Sequence, residues 1–256
     1  MVYPVLLTAL FAAQPNASAE DAVRAYGQAI ARNSPEELAR AFQPSAMMYC
    51  TDGKAVHGTY QAQWKAKMRA SAPPAPPVST ELEWLDSGAT TALARARAIR
   101  GTKVFTDYIL LAKLGGSWRI VGKLCQADAS PSADADAAVR SVIDVKLASD
   151  RGWDPVLLER SIDPRALVMT VEDGELVAAT LAEWQGRYVE RRTSSPGNPA
   201  PEEGRMVEAR GDIGIARWSF RGSDGSLWTD RALMMRTAAG WRMMALLFAK
   251  EAPTAR

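Results

Sequence analysis

The chain has 256 residues, of which 47% are hydrophobic and 23% charged, and its formal net charge is +2. This composition excludes a disordered or fibrous protein, and the length suits one large domain or two ordinary ones. The Lys and Arg residues are scattered among Asp and Glu rather than clustered, so we expect no nucleic-acid partner.

Residues 1–19 predict a signal peptide. An apolar run from Val2 to Ala13 is followed by Ala17-Ser18-Ala19, an A-x-A cleavage pattern, and then by acidic residues. No Lys or Arg precedes the run, which leaves an apolar anchor as the alternative, but about a dozen apolar residues are too few to span a bilayer. We expect cleavage after Ala19, a periplasmic or secreted protein and no stable membrane span.

The next elements in chain order are two helices, a hairpin and a third helix. Residues 20–33 have apolar side chains at helical spacing, and Ser34-Pro35 predicts the start of a second helix. Asp52-Gly53 between two apolar runs predicts a tight hairpin. A helix that contains Trp64 follows, and then a proline-rich connection at 71–79.

Four strands complete this unit, at about 80–86, 90–99, 104–113 and 117–124. In the second of them, four alanines alternate with Leu93, Arg95, Arg97 and Ile99. A strand face that holds only alanines leaves room for a helix to lie close.

The whole order of elements is then repeated. Asp107 and Trp118 close the first copy, and Asp230 and Trp241 close the second with the same spacing. We predict domains at 20–127 and 134–251, a linker at 128–133 and a tail at 252–256. The first domain has 14 basic and 9 acidic residues, whereas residues 128–256 have 17 and 20, so the two halves attract each other weakly.

Each copy is predicted to be an α+β unit of order α-α-β-β-α-β-β-β-β. This order, Gly58-Thr59 before the Trp64 helix, and the closing Asp-x9-Gly/Ser-Trp-Arg pattern resemble the nuclear-transport-factor-2-like superfamily, which includes ketosteroid isomerase and SnoaL-like cyclases. The resemblance covers nearly the whole chain twice. It implies two tandem cone-shaped domains, each a curved, mainly antiparallel sheet wrapped around N-terminal helices, which together form an intramolecular pseudo-dimer.

The candidates for chemistry are the carboxylates of the strands and the single histidine. Asp107 and its counterpart Asp230 lie among large apolar residues, where an unpaired carboxylate is costly. Each therefore either acts on a ligand or pairs with an arginine such as Arg97 or Arg119. His57 could act as a general acid or base, but the second copy has no histidine.

The resemblance implies a pocket at the open end of each cone. Tyr26 and Trp64 are expected as walls of the first pocket, and Tyr108 as a ligand contact beside Asp107. Neighbouring strand residues point to opposite faces, so only one of Asp107 and Tyr108 can enter the pocket. We expect any working site in the first cone, because Asp107 is followed there by Tyr108 and the second copy has Arg231 instead. Methionines also fill the second cone; they are Met234, Met235, Met243 and Met244.

Cys50 and Cys125 fit no zinc motif, and we expect no metal and no cofactor. The residues alone leave two alternatives, a disulfide or two buried thiols. The resemblance makes the first and last strands of a domain neighbours, which implies that the two cysteines lie close together and form a disulfide in an exported protein.

These observations favour a secreted or periplasmic protein that binds a small apolar or carbonyl-containing molecule, or an accessory protein without turnover. The first alternative is a proton-transfer enzyme of the isomerase, dehydratase or cyclase type with its pocket in the first domain. The second is an envelope scaffold that binds other proteins through its sheet faces.

Overall fold

The computed structural model describes residues 16–70, 78–194, 202–222 and 225–251. The first copy contains helices α1 (Ala19–Arg32), α2 (Pro35–Ala41) and α3 (Gln61–Ala70), and strands β1 (Phe42–Thr51), β2 (Val56–Tyr60), β3 (Val78–Ser87), β4 (Thr91–Arg100), β5 (Lys103–Leu114) and β6 (Ser117–Ala127). The second contains α4 (Ala133–Gly152), α5 (Pro155–Ser161) and α6 (Leu181–Ser194), with β7 (Ile162–Glu172), β8 (Glu175–Thr180), β9 (Glu202–Arg210), β10 (Ile213–Arg221), β11 (Leu227–Thr237) and β12 (Gly240–Lys250).

The two copies have the same sheet topology. The strand orders are β2-β1-β6-β5-β4-β3 and β8-β7-β12-β11-β10-β9. All pairs are antiparallel except β1 with β6 and β7 with β12. Helix α1 contacts β3, β4, β5 and β6, so the sheet curves around it. The predicted α+β class with two mainly antiparallel cones is confirmed, and we call the enclosed interiors the first and second cones.

The predicted domain limits stay predictions. Strand β6 ends at Ala127 and α4 begins at Ala133, on either side of the proposed linker. The tail at 252–256, most of both proline-rich connections and residues 1–15 of the predicted signal peptide lie outside the described residues.

The short second helix of each copy begins with the same local chemistry. The Ser34 side chain accepts a hydrogen bond from the backbone of Glu37, and Pro35 occupies the first turn. In α5, Asp154 accepts bonds from two backbone N–H groups, and Pro155 follows it. Both patterns satisfy N–H groups that have no partner inside the helix.

The alanine face of β4 lies against α1, as the sequence predicts. All four alanines are completely buried; they are Ala92, Ala94, Ala96 and Ala98. Gly27 of α1 lies so close to β3 that an added Cβ would be 3.1 Å from Thr80 Cβ. The second copy differs here, because the cross-strand partner of Asp230 is Trp218, where the partner of Asp107 is Ala96.

The outer faces of the two sheets pack against each other in one apolar layer. Its buried residues come from both copies, for example Tyr108 and Leu124 from the first and Leu233 and Leu247 from the second. Gly122 allows a close approach, because an added Cβ would lie 3.2 Å from Leu233 Cδ1. The two copies therefore cover each other's sheet within one chain.

Polar contacts cross this layer in two equivalent places. Tyr108 Oη donates to Glu208 at 2.8 Å, and Arg95 forms an ion pair with the same carboxylate. Arg231, which occupies the position of Tyr108 in the second copy, donates to Asp86 of the first copy at 3.1 Å. Each copy thus supplies one carboxylate to the other.

The segment before α1 is fixed by Asn16. Its side-chain Nδ2 donates to the carbonyl oxygens of Arg40 (3.0 Å) and Trp118 (2.9 Å), and its backbone N donates to Ser117 Oγ. Ser18 caps α1 in a capping box. Both residues precede the predicted cleavage point, which stays a prediction. Within the described residues, none of the helices is long and apolar enough to cross a membrane.

We expect Arg231→Met to lower the free energy of unfolding by about 2–4 kcal/mol, because Asp86 and Glu251 would lose a buried partner. Arg217→Met is the control, since Arg217 lies at 3.6 Å from the same Asp86 but is far more exposed, and should cost less than about 1 kcal/mol. Urea denaturation measures both. Equal losses of stability in the two variants would show that the buried Arg231 ion pairs stabilise the protein no more than the exposed contact of Arg217.

We expect Asn16→Ala to lower the free energy of unfolding by about 1–3 kcal/mol, because the buried Trp118 carbonyl loses its donor. Ser18→Ala removes only an exposed cap and should cost about 1 kcal/mol or less. Urea denaturation of the two variants compares them, and an N16A protein as stable as the parent would contradict the assignment.

Candidate functional site

In the first cone, Asp107 is completely buried and has two side-chain partners. It accepts hydrogen bonds from Tyr26 Oη at 2.6 Å and from Lys123 Nζ at 2.7 Å. The Lys123 ammonium also lies over the Tyr26 ring, 5.4 Å from its centre. Burial lowers the pKa of Lys123, and burial together with Asp107 raises the pKa of Tyr26 far above its ordinary value. This closed network satisfies Asp107 inside the protein.

The structure brings together three of the predicted site residues, Tyr26, Trp64 and Asp107. Tyr26, Trp64 and Phe42 form a triangle of edge-on rings with centres 5.6 to 6.1 Å apart. Tyr26 is completely buried and bonded to Asp107, so these side chains form core packing at the centre of the first cone. The prediction that Asp107 pairs with an arginine is wrong, because Asp107 forms its ion pair with Lys123.

Tyr108 and His57 lie elsewhere. Tyr108 points to the outer face of the sheet, where burial and Glu208 raise its pKa, so it does not reach the first cone. His57 is exposed on β2. The side chain of Asp52 accepts bonds from the backbone of Lys54 and Ala55, which is turn chemistry.

Cys50 and Cys125 are joined in a disulfide. They lie directly opposite each other on the parallel pair β1 and β6, with Cα atoms 4.4 Å apart. Cys125 is also the cross-strand partner of Asp107 on β5. The disulfide therefore ties the edge pair β1 and β2 to the strands that carry the buried network.

The second cone has lost both partners that satisfy the carboxylate in the first. Trp118 and Trp241 are equivalent, and counting from them places Leu246 at the position of Lys123. The helices end at the equivalent caps Asn33 and Trp153, and seven residues before these caps are Tyr26 in α1 and Lys146 in α4. A lysine has thus replaced the tyrosine of the helix, and a leucine the lysine of the strand.

Lys146 does not replace the lost partners, because α4 and α6 offer it others. Its Nζ donates to both carboxylate oxygens of Asp150 at 2.7 Å and lies 3.4 Å from Tyr188 Oη. Tyr188 in turn donates its hydroxyl to Asp150. Asp150 raises the pKa of Lys146 despite its burial, so the ammonium stays charged. It acts on Asp230 only through space.

Asp230 is consequently a buried carboxyl with an unused oxygen. Burial raises its pKa to about 7, although the charge of Lys146 opposes the shift. The indole N–H of Trp218 lies near enough to favour the anion, although neither Asp230 Oδ1 nor Trp218 Nε1 forms a hydrogen bond among the described residues. A buried polar group left unpaired costs about 1–3 kcal/mol, so Asp230 is less well satisfied than Asp107.

Five rings form a continuous row beside Asp230, which we call the aromatic row. The successive centre-to-centre distances are 6.0, 5.5, 6.3 and 5.2 Å in the order Trp228, Phe248, Trp184, Tyr188, Trp153. Three of these rings are partly exposed, whereas Trp184 and Tyr188 are buried. Phe248 is the cross-strand partner of Asp230. The row thus joins the surface to the buried carboxyl.

The methionines divide between two places. Met234 and Met243 pack inside the second cone, whereas Met235 and Met244 lie in the layer between the sheets. The expectation that all four fill the second cone is therefore wrong for half of them. A separate cavity of about 10 Å³ between the domains has room for about one water molecule.

Lys123 and Lys146 were not among the predicted site residues, although the sequence contains signals for both. Lys123 lies within the buried apolar run of β6, and Lys146 lies on the buried side of α4 beside Val139, Val142 and Ile143. A lysine at such a position needs an acidic partner, and Asp150 is one helical turn further on. Within the described residues, His, Cys, Asp and Glu form no cluster suited to a metal ion.

Comparisons with known proteins each match about half of this chain. Residues 14–126 match the model of a family described as "Putative lumazine-binding". No curated protein matched this sequence. The resemblance to the nuclear-transport-factor-2-like superfamily is confirmed at the level of the fold, because both copies have the predicted order of elements and sheets that enclose helices.

Similar solved structures each align with about half of this chain. A nuclear-transport-factor-2-like protein of unknown function from Silicibacter pomeroyi DSS-3 is 15% identical, with 46% of this chain and 97% of that chain covered and a TM-score of 0.40. Another protein described in the same way, from Methylobacillus flagellatus KT, is 23% identical, with 44% of this chain and 98% of that chain covered and a TM-score of 0.38. A third, from Pseudomonas putida KT2440, is 11% identical, with 50% of this chain and 99% of that chain covered and a TM-score of 0.43.

We expect Asp230→Asn to change the pH dependence of stability. The carboxyl has a pKa of about 7 when folded and 3.8 as its ordinary value, so the folded state holds the proton between about pH 4 and 7 and loses stability as the pH rises through that range. The difference in free energy of unfolding between the variant and the parent should therefore rise in favour of the variant by about 2–4 kcal/mol from pH 4 to pH 8.

Asp107→Asn is the matched control in the first cone. It leaves the buried Lys123 without its carboxylate and should lower the free energy of unfolding by about 3–5 kcal/mol. Denaturation curves at pH 4, 6 and 8 test both variants. A D230N protein that follows the parent across this range would contradict the raised pKa.

Proposed function

We propose that this protein binds a small planar molecule in the second cone, with Asp230 as its polar anchor. The observation that supports this most is the unpaired Oδ1 of Asp230, which is the cross-strand partner of Phe248 in the aromatic row. Ligand sites are concave, mostly apolar and contain a few convergent polar groups. Asp230, together with the free indole N–H groups of Trp218 and Trp184, supplies such groups.

The chemistry of these groups limits the ligand. A carboxyl with a pKa of about 7 either donates or accepts a hydrogen bond near neutral pH, and the two indoles only donate. The rings of the aromatic row favour a flat apolar or heteroaromatic body with a carbonyl oxygen to accept the indole bonds. A lumazine has such a body, although the family match lies in the first copy.

The first cone is less suited to this role. Its carboxylate already has two hydrogen-bond partners inside the protein, Tyr26 and Lys123. We therefore assign the first domain a structural role, in place of the expectation that it holds the working site. The scaffold alternative is also weakened, because the outer face of each sheet is covered by the other sheet.

A proton-transfer enzyme is the second candidate. Its support is again Asp230, since a general base works best with a pKa close to the pH at which it operates. Exchange of deuterium into a bound carbonyl compound, lost in Asp230→Asn, would favour this candidate over simple binding.

For the location we propose export to the periplasm or beyond. The apolar run with its A-x-A pattern supports this, and so does the disulfide between Cys50 and Cys125. N-terminal sequencing of exported protein tests it. The same experiment shows whether the mature chain keeps Asn16 and Ser18, which cleavage after Ala19 would remove.

The binding proposal is tested with N-phenyl-1-naphthylamine, a neutral aromatic probe that fluoresces when it leaves water. We expect saturable binding that Trp228→Ala weakens by about 5–30-fold, because the probe loses a stacking surface at the outer end of the aromatic row. Phe105→Ala changes the equivalent position of the first copy and should leave binding unchanged. Equal weakening by both variants, or no saturable binding, would contradict the proposed site.

A further inference from the structure

Two arginines of α6 lie over indole rings of the aromatic row. The Arg187 guanidinium carbon is 4.8 Å from the centre of the Trp184 ring. That of Arg191 is 5.0 Å from Trp153 and 5.6 Å from Trp184. Both side chains belong to exposed residues, one helical turn apart. The indoles of Trp153 and Trp184 thus belong to the aromatic row and also contact two cations.

Neither arginine is used in an ion pair among the described residues. Many other arginines are, for example Arg205 with Asp144 and Glu202. The charge of Glu183 interacts with Arg187, but its carboxylate is held by the backbone N–H and hydroxyl of Thr180 at 2.7 and 2.8 Å. The N–H edges of Arg187 and Arg191 are therefore available for an acceptor.

Contact with the indoles restricts these two side chains. The planar N–H edge of a guanidinium matches the two oxygens of a carboxylate, sulfonate or phosphate. An arginine is more weakly hydrated than a lysine and loses less on binding such a group. The pair thus provides a preorganised anion contact at the outer side of the aromatic row.

We propose that Arg187 and Arg191 bind the anionic group of the ligand, so that the second cone takes a planar aromatic acid. This rests on the proposed function, since the ring system would lie along the aromatic row and reach Asp230. The polar groups then have separate tasks: Asp230 and the indole N–H groups contact the inner end of the ligand, and the two arginines contact its charged end at the surface.

The test compares two probes that share one skeleton. 8-Anilinonaphthalene-1-sulfonate carries a sulfonate, and N-phenyl-1-naphthylamine has the same rings without it. We expect the parent protein to bind the sulfonate at least about tenfold more tightly. The double variant R187Q/R191Q should weaken sulfonate binding by about tenfold or more and change binding of the neutral probe by less than about twofold, because only the charge-assisted hydrogen bonds are lost.

Arg192→Gln is the matched control. It removes the same charge from the same helix, and within the described part of the chain Arg192 stacks on no ring. It should leave both affinities within about twofold of the parent values. If R192Q weakens binding of the sulfonate probe as much as the double variant does, the proposal is overturned. Such a result would show that the net charge of the helix, and not a specific contact with Arg187 and Arg191, favours the anion.

The remaining outcomes separate this proposal from the one on which it rests. If the neutral probe binds in a Trp228-dependent way but the sulfonate gains nothing from Arg187 and Arg191, the anion contact is wrong and the cone site stands. If neither probe saturates on the parent protein, the cone site itself is wrong. Equal weakening of both probes in the double variant would mean that the arginines only support the fold.

Discussion

A carboxylate in the middle of a buried sheet needs partners, and this requirement governs how the two halves of the chain differ. Both copies keep an aspartate at the same position of their penultimate strand. In the first copy a tyrosine from the helix and a lysine from the neighbouring strand satisfy Asp107 completely. In the second copy the lysine lies on the helix, where Asp150 binds it, and Asp230 is left protonatable and incompletely paired.

The contact between the sheets shows the same duplication with changed side chains. A tyrosine and an arginine of the first copy meet Glu208, and two arginines of the second copy meet Asp86. This arrangement matches the two-fold interface of a homodimer, in which each patch contacts its equivalent. Fusion in one chain lets the two copies diverge, because each no longer has to serve both roles. The first copy satisfies its buried carboxylate completely, whereas the second leaves Asp230 incompletely paired.

Much of the fold was predictable from local sequence signals. The Ser-Pro and Asp-Pro helix starts and the alternating alanines of β4 predict elements that the structure contains. The site was not predictable in the same way, because it depends on which side chains from distant elements meet. Asp107 and Asp230 have similar sequence surroundings, and their difference arises from residues on other elements, Lys123 on β6 and Lys146 on α4. Tyr108 is a further example, since its hydroxyl contacts Glu208 about a hundred residues away and does not enter the first cone.

The central claim is that Asp230 is a buried carboxyl that titrates near neutrality. The most direct measurement is a carbon-13 NMR titration of protein labelled at the aspartate carboxyl carbons, with Asp230→Asn used to assign the signal. The structure predicts a carboxyl that titrates at about pH 7 and disappears in the variant. An Asp230 signal that titrates near 4, as an ordinary solvated aspartate does, would contradict the account.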